Sequence, residues 1–245
     1  MHSYRFLRVV RSNTVKRGKI LVREENAEVK MVVFQDLFLC APADRRLQVR
    51  ESLVTTAAAP WTHAKDKEHL VHVRSPDEDV IAFERTAGDG IDAAGLVLWS
   101  RDNGYEVVNI VPLEASELGP IRYNRVLQDF LAKVAVPAAS VAGFVVKPGP
   151  AAQGLGDWLS EDAAAALRRF SATANKSTGS SHPSDQRRWF SFLIAVHNKP
   201  GSLDTSRLIR WLCEVEGWSS DKAHELAIEY EFGLALLDEY DRVGR

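Results

Sequence analysis

Ser171-Ala172-Thr173-Ala174-Asn175-Lys176-Ser177-Thr178-Gly179-Ser180-Ser181-His182-Pro183-Ser184-Asp185-Gln186-Arg187-Arg188 is a polar run between two stretches of different hydrophobic period. Upstream, apolar residues come in short groups of strand length; downstream they recur every three to four residues. The run therefore divides the expected architecture. An α+β domain over 1–170 has a mixed, mainly antiparallel sheet and a packed helix. A polar linker or loop covers 171–184, and a small all-α helical domain covers 185–245.

The run itself has two readings. As a linker it is a Ser-rich tether ending at a helix start, with Ser184 or Asp185 as cap and Pro183 near the first turn. As a functional loop it sets Lys176, His182, Asp185 and Arg188 close together: two cations, an imidazole and a carboxylate. His182 would then act as acid or base, and the cations would steady developing charge. Rapid proteolysis between Lys176 and Arg188 would mark a loose tether; resistance would remove that reading.

Working back from the run, strands are expected at Arg5–Val10, Lys19–Val22, Val29–Phe34, Leu70–Val73 and Val80–Phe83. The clearest element is a hairpin of Leu96–Ser100 and Tyr105–Ile110 joined through Asp102-Asn103-Gly104, where Asn-Gly would supply the positive φ of a tight turn. Tyr123, Val126, Leu127, Phe130, Leu131 and Val134 then recur at helical spacing and predict a helix with one buried face. A further strand is expected over Val141–Val146. Ser160 should cap a short helix with Glu161 and Asp162 in its first turn and Arg168 and Arg169 in its last.

Forward of the run, Trp189–Val196 is apolar on nearly every side and predicts a central helix. Asp204 should cap the next one, with Leu208, Trp211, Leu212 and Val215 buried. Ser219 opens a final helix with the stripe Leu226, Tyr230, Leu234 and Leu237.

Composition excludes several classes. The chain has 245 residues, a net charge of −2 and 45% hydrophobic residues, which is globular and without global attraction to nucleic acid or anionic lipid. Neither a signal-peptide core nor a membrane span is present, and Cys40 and Cys213 read as reduced, buried thiols. A cytoplasmic protein with no cofactor is expected. Gly88-Asp89-Gly90 and Gly154-Leu155-Gly156 are incomplete as phosphate loops, and no Gly-x-Ser-x-Gly elbow occurs. His63, His69 and His72 with Glu68 form a local histidine cluster, but across loop and strand its spacing does not converge, and no metal is expected.

Charge is uneven along the chain. Residues 1–50 carry eleven Lys or Arg against five Asp or Glu, and residues 203–245 carry five against ten. Arg5, Arg8, Arg11, Lys16 and Arg17 could hold nucleic acid phosphates. Glu225, Glu229 and Glu231 on the last helix would repel DNA and suit a protein partner. The sequence thus points to a binding or regulatory protein that acts on another macromolecule through an acidic helical module, as in a toxin–antitoxin or defence pair. Its alternative is an enzyme of nucleic acid or phosphate chemistry with the His182 loop as its site.

Overall fold

The computed structural model describes residues 29–74, 78–114 and 117–244. The expected strands Arg5–Val10 and Lys19–Val22, and the cations Arg5, Arg8, Arg11, Lys16 and Arg17, lie outside the described residues. The fold is α+β, and it divides into two compact units: Val32–Gln153, and Gly154 onward together with the described residues up to Met31. The division expected from sequence, near 170–185, falls instead at 153/154, because the helix before the polar run packs onto the helix after it.

The main sheet of the first unit has six strands: β1 (Leu37–Cys40), β2 (Trp61–His63), β3 (Val80–Arg85), β4 (Ala94–Arg101), β5 (Gly104–Pro112) and β6 (Val145–Pro148); Met31–Val32 and Ala152–Gln153 pair separately. Their spatial order is β2-β3-β4-β5-β1-β6 and every pairing is antiparallel. Period-two alternation puts Leu37 and Leu39 into the core and Phe38 outside it. Against that face pack α1 (Arg46–Thr56) and α3 (Pro120–Phe130), which runs through a π-turn, Leu131–Ala135, into α4 (Val136–Ala142). Pro137 lacks the donor a regular helix needs there, and the wider turn before it takes up the mismatch. Val126, Leu127, Phe130 and Val134 are fully buried, as their spacing predicts.

Three local expectations change. Leu70–Val73 is not a strand: it lies in helix α2 (Lys65–Arg74), whose first turn holds Asp66 and Glu68 where the helix dipole favours acids. Val141 and Ala142 close α4, Gly143 turns the chain at φ +69°, and the strand begins only at Val145. The β4–β5 hairpin forms as predicted, but Asn103 does not take a positive φ. Gly104 does, at +129°, as the first residue of β5 and the partner of Cys40 on β1.

The helical unit comprises α5 (Leu155–Trp158), α6 (Glu161–Thr173), α7 (Pro183–Asn198), α8 (Thr205–Glu214) and α9 (Ser220–Val243). Ser160, Asp204 and Ser219 cap α6, α8 and α9 through their side-chain oxygens, as expected. The cap of α7 is His182 rather than Ser184 or Asp185, which places Pro183 at the first helical position. Its core is aromatic: Phe170 lies 4.9 Å from Trp189 and stacks on Trp218 at 5.6 Å and 15°, while Phe192 stacks on Tyr230 at 5.7 Å. Leu234 and Leu237 are only half-buried. Cys40 and Cys213 are also half-buried rather than buried. No described helix is long and apolar enough to cross a membrane.

Candidate functional site

The polar run is built into the helical unit. Its first three residues belong to α6, and Ser171, nearly inaccessible, accepts a hydrogen bond from Trp218 Nε1 (2.7 Å) and donates to Glu216 (2.9 Å). Asn175 Oδ1 accepts from the Ser177 amide and hydroxyl, forming an Asx turn. Ser180 donates to Glu229 on α9 at 2.6 Å. Asp185 is buried and takes Arg188 on one oxygen (2.6 Å) and the Asn175 amide on the other (3.5 Å).

His182, Asp185 and Arg188 line one shallow cleft with Asn175, Thr178 and Ser181. Lys176 does not join them: its ammonium donates to the Glu216 carbonyl. His182 Nδ1 accepts from the Ser184 amide at 3.3 Å, which is capping work. The carboxylate and the guanidinium of this group are thus committed to each other and to the loop. Intact chain should resist trypsin at Lys176, Arg187 and Arg188, and Asp185→Ala, which frees both ends of the loop, should speed cleavage there by at least about tenfold. Time-resolved electrophoresis of the digest reads this directly.

The three acids of α9 expected to meet a partner, Glu225, Glu229 and Glu231, are divided in their roles. Glu225 pairs with Lys222, Glu229 holds Ser180, and Glu231 is exposed. The helix carries seven carboxylates against Lys222 and Arg242. It is 24 residues long, about 36 Å at 1.5 Å per residue. Its buried residues, Ala223, Leu226, Ala227 and Tyr230, all lie in its first half. Burial, with a smaller contribution from the charge of Asp204, pushes the Tyr230 hydroxyl up to about 12, so it remains a donor to the Leu203 carbonyl at 3.0 Å. Farther along, Gly233 lies against Leu193 of α7, and the two ring nitrogens of His197 face Asp238 (3.1 Å) and Asp241 (3.2 Å).

The other side of α9 is apolar and bare. Ile228, Phe232, Leu236, Tyr240 and Val243 recur every three or four residues and are 58–74% exposed. The buried stripe of this helix is legible in its sequence, whereas this second one is not. The available signal was that apolar residues exceed what a single face can hold.

In the sheet unit the histidine cluster resolves into a charge network. Glu68, buried, accepts from the Ala82 amide (2.9 Å), meets His63 Nε2 (2.7 Å) and pairs with Arg50. Arg50 also reaches Asp79 (3.1 Å), which accepts from the Tyr105 hydroxyl (2.7 Å). Burial first, then this hydrogen bond, pushes the Tyr105 hydroxyl far above its usual range. Because residues 65–74 are helical, His69 and His72 fall on one face and line a shallow cleft with Lys65, Glu78 and Asp79. The described residues contain no group of three or more side chains placed to hold a metal ion.

A family model described as "Domain of unknown function (DUF1889)" matches residues 163–231, from α6 into α9. This similarity covers the packed core of the helical unit and a minor part of the chain. No curated protein and no solved structure matches.

Proposed function

We propose that the chain is a protein-binding module that acts on another macromolecule through the outward side of α9. The observation that carries this reading is the exposed stripe Ile228, Phe232, Leu236, Tyr240 and Val243 on a helix that outruns its own buried core. Large apolar side chains aligned along a helix favour a partner that removes them from water, at roughly 25 cal/mol per Å² of apolar area. Carboxylates dominate the helix around them. The partner chemistry that fits is a helical segment with an apolar face bordered by Lys and Arg.

The test uses the full chain and a synthetic amphipathic peptide of about 20 residues, apolar on one face and Lys-rich on its borders, followed by calorimetry. Phe232→Ser with Leu236→Ser should weaken binding by at least about 30-fold, the size expected for hot-spot anchors, with melting unchanged because both side chains are exposed. Alanine at Glu225, Glu229 and Glu231 should slow association and flatten its salt dependence. Equal binding by the serine variant would sink the proposal, as would indifference to replacing the peptide's lysines by glutamates.

A further inference from the structure

We propose that the sheet unit holds a second, separate docking site: an open slot along β5 that accepts one extended peptide segment of a partner protein as an added strand. β5 pairs with β4 from Gly104 to Pro112, with one bulge at Val108, which has no partner opposite Val97 and Leu98. On its other side it pairs with β1 only through Gly104, Tyr105 and Glu106. Beyond Glu106 no described strand covers that edge.

The gap has a cause. The chain just before β1 stays bonded to the 149–151 segment but is held away from β5 by Asn124 of α3, a buried amide that accepts from the Gln35 amide (2.8 Å) and donates to the Val33 carbonyl (2.7 Å). Gln35 is fixed twice more, by Gln128 (2.6 Å) and by the Gly149 carbonyl (2.7 Å). A side chain on a helix thus supplies the pairing that a strand would have supplied. The segment cannot lie beside β5.

What remains is a groove of about 500 Å³. Phe34 and Asp36 form one wall, the Val107–Pro112 edge the other, and Leu118 and Tyr123 line it from the start of α3. In an antiparallel strand every second residue directs its N–H and C=O away from its existing partner, so this edge offers unpaired backbone groups. Phe34, Val108 and Val111 are each more than 40% exposed in or beside it. The stretch Val107-Val108-Asn109-Ile110-Val111 contains none of the charges with which edges are commonly blocked.

Charge selects the occupant. Of the four ionic groups lining the slot, Arg101 is engaged by Glu106 at 2.7 Å, which leaves the exposed carboxylates of Asp36 and Glu117. A strand with apolar residues at alternate positions and Lys or Arg at its ends matches this pattern. A second copy fits less well, because its own Phe34 wall would stand against this one when the two edges approached.

The probe is a fluorescein-labelled heptapeptide, Lys-Val-Thr-Val-Thr-Val-Lys, titrated against the full chain by anisotropy. Saturable binding is expected, with a dissociation constant on the order of 10 μM. N-methylation of alternate amides, which removes strand donors and keeps the side chains, should abolish it. Asp36→Lys, an exposed change, should weaken binding at least about tenfold and strengthen binding of the same peptide with Glu ends. No saturation, equal binding of the methylated peptide, or indifference to Asp36→Lys would each overturn the proposal. A concentration-dependent dimer that Val111→Glu dissolves, seen by sedimentation, would assign the edge to a second copy and overturn it as well.

Discussion

Asp129→Ala should destabilise the sheet unit by about 3–5 kcal/mol, enough to lower its melting temperature by about 10 °C or more. Asp129 on α3 is buried and accepts from three donors: Arg85 Nε (2.8 Å), Trp61 Nε1 (2.9 Å) and Lys133 Nζ (2.9 Å). The Arg85 side chain is wholly inaccessible, and its remaining nitrogens donate to carbonyls of the 86–92 loop, including Thr86 (2.8 Å) and Ile91 (3.1 Å). Removing the carboxylate leaves a buried guanidinium without a counterion, which costs far more than the pair itself contributes. Hydrogen exchange on the β3 and β4 amides measures the loss. Arg85→Met combined with Asp129→Leu should regain at least about 2 kcal/mol, because the charge goes with its partner. An alanine variant as protected as the parent would show that the network is decorative.

The same carboxylate sets a pH dependence. Burial pushes the Asp129 carboxyl up, but hydrogen bonds from Arg85, Lys133 and Trp61 outweigh it and hold it below the ordinary 3.8. A depressed value in the folded state means that the stabilisation is full above the unfolded value and is lost as pH falls through the folded one. The gap in stability between the parent and Asp129→Asn should therefore be constant at neutral pH and narrow below about pH 3.8.

Gly104→Ala should cost about 3 kcal/mol or more and unzip β1 from β5. A Cβ at this position would sit 1.9 Å from the Leu39 carbonyl oxygen, on a backbone with φ +129°. Neither the clash nor the dihedral can relax without breaking the pairs Cys40↔Gly104 and Leu39↔Tyr105. Exchange protection at these amides should vanish while that of α7 stays. Gly88→Ala is the control: a Cβ there meets nothing within 4 Å, so its effect should stay within about 0.5 kcal/mol.

These residues also show where the sequence is informative. The hairpin was legible because Asn103-Gly104 interrupts two alternating runs, yet the reason for the glycine was not. Its need comes from β1, some sixty residues away, and local turn rules cannot see that contact. Leu70–Val73 misleads because two valines alternate in a short apolar group; the acids Asp66 and Glu68, just upstream, are the better evidence of a helix start. The polar run looked like a tether because Ser and Gly prevail, while its order comes from Asp185, Ser180–Glu229 and Ser171–Trp218, contacts made by tertiary structure. Of the features proposed as sites, the charge of Glu225, Glu229 and Glu231 is legible in the sequence, whereas the exposure of the apolar side of α9 and the groove beside β5 is not. Exposure of an apolar residue depends on what fails to cover it, and periodicity does not record that.

The amide of Asn124 has one more consequence, for solubility. An uncharged run such as Val107–Val111 on an open edge is the kind of template on which chains stack into fibrils, and the bulge at Val108 is one feature that bends it out of shape for this. Phe34, about half exposed, stands in the groove beside this edge, where a bulky ring opposes the face-to-face growth of sheets. Asn124 bonds the residues on both sides of Phe34, so Asn124→Ala should free that wall and raise the rate of aggregation, as light scattering would show.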